Sequence, residues 1–315
     1  MEPLQVSIVM YHYVRDLQNS LYPEIKGLDV SLFETQLRYF IKYHNVIRME
    51  NLIDVFKWGR TTLPRNPVLL TFDDGYKDHY QHVFPILDEL GLQGSFFPPA
   101  QAITERKVLD VNKIQFILAS QPNKEEVMDE IFDLMDTFSG EYTLLDKLQY
   151  RDTCAVPDRF DSKEVVFIKR MLQKELPAQV RKEITDSLFK KYVSKNERAF
   201  SEELYMNIHQ VRCMRRHGMF FGSHGYNHLW LPDLSASEQI SEIDKSMKFL
   251  ESAGASLQNW VMCYPYGAHN ETLQSILQER QCAIGLTTKP DVATLSYENR
   301  LALPRMDTND YPKVF

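Results

Sequence analysis

The stretch Val68-Leu69-Leu70-Thr71-Phe72-Asp73-Asp74-Gly75-Tyr76 decides how this chain is read. Its first half is a short apolar run of the kind that forms a buried strand, and two carboxylates leave its end. Gly75 allows a sharp turn just beyond them. Side chains alternate along a strand, so Asp73 and Asp74 diverge unless the backbone bends there. One carboxylate can then hold a cation while the other moves protons. The competing reading is a turn in which the pair caps a helix, a frequent use of Asp-Gly.

Upstream and downstream of this stretch, strand and helix patterns alternate. Residues 6–11 read as a buried strand, and Ser31 as the cap of a helix with Phe33, Leu37, Phe40 and Ile41 inward. A short strand at 46–47 and a helix at 52–56 precede the aspartates. After them comes a helix with Tyr80, Val83, Phe84, Leu87 and Leu90 on its apolar face, Pro85 in its first turn and Gly91 at its end. Residues 95–97 return as a strand. From 110 to 205 the pattern is helical and charged, with apolar stripes at Val127, Ile131, Leu134 and Phe138, at Val165, Ile168 and Leu172, and at Val180, Ile184, Leu188 and Tyr192. Alternation resumes with strands at 219–221, 260–263 and 283–286. Between them lie helices opened by the capping box Ser235-Ala236-Ser237-Glu238 and by Asn270. The expected fold is α/β with a parallel sheet, open or closed into a barrel. Residues 1–109 and 206–315 form that body, and 110–205 a helical insertion.

With 315 residues, 43% of them hydrophobic, the chain can bury a sizeable core. A net charge of −7 argues against nucleic acid or an anionic membrane as the main partner. The four cysteines, Cys154, Cys213, Cys263 and Cys282, have no CxxC spacing and read as free thiols of a reducing compartment. No secretory signal and no run of about 18 apolar residues is seen. A cytoplasmic protein without a transmembrane segment is expected.

The unusual polar residues fall at the carboxyl ends of the expected strands: His12, Asp73 and Asp74, His224, Tyr264-Pro265-Tyr266-Gly267, and Arg305 after 301–303. That edge is where parallel α/β folds gather their ligand-binding loops. In Ser223-His224-Gly225-Tyr226-Asn227-His228 two imidazoles stand four residues apart, a spacing that lets both reach one metal, although surface or capping histidines would look the same. An Asp and two His form a facial set suited to zinc, iron or cobalt, with positions left open for water and substrate.

Thr71-Phe72-Asp73-Asp74-Gly75, His224-Gly225-Tyr226-Asn227-His228 and Tyr264-Pro265-Tyr266-Gly267 together resemble the successive motifs of the polysaccharide deacetylases, the NodB-homology group or carbohydrate esterase family 4. The opening Met10-Tyr11-His12-Tyr13-Val14 and the ending Leu303-Pro304-Arg305-Met306-Asp307-Thr308-Asn309 are similar to the same group. The resemblance covers 1–109 and 206–315 and omits the helical insertion. It implies a distorted (β/α) barrel of TIM-like type that removes N-acetyl groups from amino sugars with one divalent metal, zinc first, then iron, cobalt or nickel. Carried over, Asp74, His224 and His228 would be the metal ligands and Asp73 the catalytic base. The backbone N–H of Tyr266 would be the oxyanion donor, since Pro265 has none.

Two departures from the family stand out. The arginine expected just before the proline-tyrosine motif is replaced by Cys263 and Tyr264, with Arg305 able to serve from a neighbouring strand end. The C-terminal Leu-x-His that supplies the general acid is missing, which leaves His12, preferred, or His269. Tyr76, Tyr226, Tyr264, Pro265, Tyr266 and His269 are expected to line the substrate site, and Trp230 to pack beneath the metal loop. His79, His82, His209 and His217 read as surface or packing residues. The expected substrate is an acetamido sugar that is nucleotide-linked, lipid-linked or a short saccharide of surface-glycan biosynthesis, with the insertion acting as a lid or a homodimer surface. Two other readings stand beside this one: a sugar-binding barrel without turnover, and a metal-dependent hydrolase of a small cyclic amide or imide.

Overall fold

Five consecutive pairs, from Ser7↔Val68 to Tyr11↔Phe72, align the strands Gln5–Tyr11 and Pro67–Asp73 in parallel. The computed structural model describes residues 4–59, 62–157 and 161–312. By internal contacts these divide into two units: Met1–Asp16, Gly27–Lys107 and Ser201–Phe315 in one, Leu17–Lys26 and Val108–Phe200 in the other.

In the first unit Ser95–Phe97 lies parallel to Pro67–Asp73, Phe220–Phe221 parallel to Ser95–Phe97, and Met306–Asp307 parallel to Gln5–Tyr11. Val261–Cys263 and Ile284–Leu286 form a second parallel pair. Single parallel bridges, Ser223↔Met262 and Leu286↔Leu303, connect it to its neighbours. Ala293–Thr294 is antiparallel to Gln5–Tyr11. Parallel strands are covered on both faces, which is why Val68 to Leu70 and Phe72 read as one apolar run. Alternation sorts them: Leu70 and Phe72 pack with Phe33, Leu37 and Phe40 of the helix Val30–Tyr43, whereas Leu69 packs with Val261 and Ile284. Thr71 and Asp73 share the second face.

The caps mostly follow the sequence. Ser235 and Glu238 close a reciprocal box on the helix Ala236–Ser252, and Asn270 caps Glu271–Glu279. Asp29, not Ser31, caps Val30–Tyr43. Its carboxylate accepts from the Ser31 N–H, so Ser31 already lies inside the first turn. Pro85 does sit in a first turn, that of Phe84–Glu89, after a wider turn over His79–Val83.

In the second unit every element among the described residues 108–200 is helical. Val127, Met128, Ile131 and Met135 face inward on Lys124–Asp136, so its inner face lies one position away from Leu134 and Phe138. Val180, Ile184 and Leu188 do so on Ala178–Tyr192. Tyr22 joins this core, its ring edge-on to Phe116 at 4.9 Å. Lys113 is buried there between Asp186 and Glu197.

Candidate active site

Because Thr71 and Asp73 share a face, one long side chain can engage both, and Arg305 does. It enters between Leu303 and the strand Met306–Asp307, donating from Nη1 to Asp73 Oδ1 (2.9 Å) and from Nη2 to Oδ2 (2.7 Å). Nη1 also reaches Thr71 Oγ1, and Nε donates to the Thr287 carbonyl. Arg305 and Asp73 are each 1% exposed. A buried ion pair survives only when its hydrogen bonds are made, and the planar fork of arginine makes them. Burial alone would raise the Asp73 carboxyl, but Arg305 foremost, then His224 and His12, hold it down at about 2. The Cys263 thiol donates to Asp73 Oδ1 at 3.4 Å. His12 Nε2 stands 3.9 Å from Asp73 Oδ2, its side chain 38% exposed. His79, expected at the surface or in packing, is fully buried, and its Nε2 bonds the His12 carbonyl at 2.8 Å.

One residue on, the chain bends. Asp74 and Gly75 both adopt left-handed backbone, φ 70° and 68°. A Cβ on Gly75 would lie 2.5 Å from the Pro98 Cβ, so position 75 takes only glycine. The bend turns the Asp74 carboxylate away from Arg305. Its Oδ2 accepts from the Tyr76 hydroxyl, whereas Oδ1 is buried with no hydrogen-bond partner. That oxygen faces His224 Nε2 at 3.5 Å and His228 Nε2 at 3.4 Å. His224 Nδ1 donates to the Cys263 carbonyl at 2.7 Å, which aims Nε2 at Asp74. Burial pushes His228 down to about 4, so its imidazole is neutral. Burial also opposes charge on His224, but the neighbouring carboxylates of Asp74 and Asp73 outweigh it and raise that group well above its ordinary value. Two buried imidazole Nε2 atoms thus converge on one carboxylate oxygen that no other protein group hydrogen-bonds. The three ligand atoms lie within 4.8 Å of one another, and the donor set of one carboxylate and two imidazoles fits a divalent metal.

The polysaccharide deacetylase family profile matches residues 60–131 and 188–284, more than half of the chain. The chain belongs to this family. Among curated proteins it is similar to YxkH of Bacillus subtilis strain 168, itself provisionally assigned as a polysaccharide deacetylase. They share 29% identity over 90 residues, 29% of this chain and 32% of that protein, so the match spans about a third of the relative. The fold is similar to that of the Streptococcus pyogenes deacetylase PplD, solved with acetate: TM-score 0.58, 17% identity, 97% of this chain and 92% of that one. IcaB from Ammonifex degensii gives 0.57 at 18% identity over 97% and 93%, and the Aggregatibacter actinomycetemcomitans de-N-acetylase 0.54 at 16% over 96% and 94%. This family member has no helix among its described residues long and apolar enough to cross a membrane.

The remaining expected site residues are sorted by burial. Tyr76, expected at the substrate site, offers no exposed surface to a sugar. It is fully buried, its ring stacked on Tyr13 at 3.9 Å and its hydroxyl spent on Asp74. Tyr264 is likewise core, donating its hydroxyl to the Leu301 carbonyl. A buried phenol must find such an acceptor, and alternation alone does not reveal which tyrosines do. Pro265 is buried, and Tyr226 is half-buried with its hydroxyl on Glu105 at 2.7 Å. Tyr266, left-handed at φ 58°, is half-buried, edge-on to His228 at 4.8 Å and stacked on Trp230 at 4.3 Å. His269 packs by Tyr264, with Nδ1 bonded to Gln274, and is not brought to Asp73.

Sequence reasoning missed Glu242. Gln239, Glu242 and Ser246 are all buried on Ala236–Ser252, at intervals of three and four. A polar stripe at helical spacing beside apolar Ile243 and Leu250 is a readable signal that this helix serves a loop.

Proposed function

We propose that this protein is a metal-dependent hydrolase that removes the N-acetyl group from an acetamido sugar. The observation that carries the reading is the orphaned Asp74 Oδ1 facing two imidazole nitrogens, one residue from a carboxylate held by Arg305. Asp74, His224 and His228 would hold the ion. A divalent metal there supplies a Lewis acid that lowers the pKa of water and polarises an amide carbonyl. Asp73 stays ionised at working pH and accepts the proton that water loses on attack. His12, 3.9 Å away and reachable from solvent, would carry a proton to the departing amine. The Tyr266 N–H would donate to the developing oxyanion, and the flat Trp230–Tyr266 pair beside His228 suits a pyranose ring. The substrate is a nucleotide-linked, lipid-linked or short saccharide.

The test is metal analysis together with an acetate-release screen over nucleotide sugars and short N-acetylated oligosaccharides. One divalent ion per chain, lost in His228→Ala, and metal-dependent acetate release are expected. Full metal occupancy in both His224→Ala and His228→Ala would sink the ligand set. A metal-loaded chain that binds these saccharides and releases no acetate would favour a non-catalytic sugar binder.

A further inference from the structure

The His224–His228 loop is held by hydrogen bonds from a helix that contributes no ligand. The Glu242 Oε2 accepts two successive backbone N–H groups, Tyr226 at 3.1 Å and Asn227 at 2.9 Å. Its Oε1 accepts from the Asn227 side-chain amide. One turn further along the helix, Ser246 Oγ bonds Ser223 Oγ, which in turn accepts from the Gly225 N–H at 3.1 Å. The N–H groups of 225, 226 and 227, all those between the two histidines, are therefore satisfied from side chains. The carboxylate is 4% exposed. Burying it is costly unless its lone pairs are filled, and these donors fill them. The loop needs such a hold, because Gly225 and His228 are both left-handed, φ 74° and 55°, the latter unfavourable for a residue with a Cβ.

We infer that Glu242 is a positioning residue that locks the His224–His228 loop in ligating geometry, so that metal affinity is set in part from the helix Ala236–Ser252. The inference rests on the metal-site reading above. Without the lock, the loop relaxes from its left-handed turn and the two Nε2 atoms no longer converge on Asp74 Oδ1. A buried Gln239 on the same helix bonds the Leu234 carbonyl instead, so it supports the fold without touching the loop.

The experiment is competitive titration of the purified chain with zinc against a chromophoric chelator, with amide hydrogen exchange at Tyr226 and Asn227 in parallel. Glu242→Ala should weaken zinc binding about ten- to a hundredfold, the range usual for groups that orient ligands, and lose protection at both amides. Gln239→Ala should lower the melting temperature and leave zinc affinity within threefold. Asn227→Asp alone sets two carboxylates against each other and should weaken zinc as Glu242→Ala does. Adding Glu242→Gln reverses the polarity of that pair and should restore affinity to within threefold of wild type. Should Glu242→Ala fail to fold, this charge-conserving swap still decides. Wild-type zinc affinity in a folded Glu242→Ala, or a swap that stays as weak as Asn227→Asp, overturns the inference while the metal site stands. A wild-type chain that binds no divalent ion overturns the site and this inference together.

Discussion

Arg305 in the strand-built unit and Lys113 in the helical unit are both buried cations facing carboxylates, yet they are built differently. Arg305 spreads its donors over Asp73, Thr71 and the Thr287 carbonyl, and neither member of the ion pair reaches solvent. Lys113 is a point charge between Asp186 and Glu197, whose side chains remain 35% and 38% exposed. A guanidinium fork fixes the plane of its carboxylate, whereas an ammonium fixes only a distance. Where direction of the carboxylate matters the chain uses arginine, and where three helices need only to be pinned it uses lysine. The lesson is that a buried charge acquires a functional reading from the geometry of its partner, not from its burial.

That contrast can be broken at four points. The largest effect is expected from Asp73→Asn, which keeps shape and removes the proton acceptor: acetate release should fall about 10²- to 10⁴-fold with metal retained. Activity within threefold of wild type would place the base elsewhere. Next comes Arg305→Ala, which leaves the Asp73 carboxylate buried without its cation and should cost about 3–5 kcal/mol in denaturant unfolding. Arg305→Lys should recover much of that stability and little of the rate, because the charge returns without the fork. Equal recovery of both would show that orientation is unimportant. Smaller again is Lys113→Met, expected to cost about 1–2 kcal/mol, since water can reach the carboxylates left behind. A loss as large as that of Arg305→Ala would erase the distinction between the two sites.

The smallest effect is in pH. Burial raises Asp186, but Lys113 and Lys182 bring its carboxyl below the ordinary 3.8. Its folded pKa is therefore the lower one, so its contribution is present above about pH 4 and is lost as pH falls through the depressed value. Asp110, at the start of the helix Asp110–Ser120 that carries Lys113, is raised by burial and works in the opposite sense. The Asp186 contribution should be lost as pH falls from 5 to 3, and that loss should shrink in Lys113→Met. Denaturant midpoints measured across that range give the comparison.

Much of the site was legible because its residues sit at discontinuities of the chain pattern. Asp73 and Asp74 end an apolar run and His224 follows a strand, whereas position 305 follows only the bridge at Leu303, not the strand expected over 301–303, and precedes Met306–Asp307. The structure places Arg305 on Asp73, where the family arginine is missing and Cys263 lies instead. What the sequence concealed is direction. Nothing in the chain distinguishes Tyr76 and Tyr264, buried with their hydroxyls satisfied, from the half-buried Tyr266. Nor does it reveal that His79 holds the carbonyl of His12 from inside the core. Alternation tells which face a residue takes, but partners come from strands far apart in sequence.

The backbone of the site has a consequence for how such a chain would change under relaxed selection. Asp74, His228 and Tyr266 all carry a Cβ in left-handed conformation, a strain of about 1 kcal/mol or more at each. Glycine or asparagine would relieve that strain at every one of the three positions, at the expense of the group it presents. A chain freed from the chemistry would gain stability by taking up those residues at 74, 228 and 266, as it would at Arg106 and Gln281, which share the conformation.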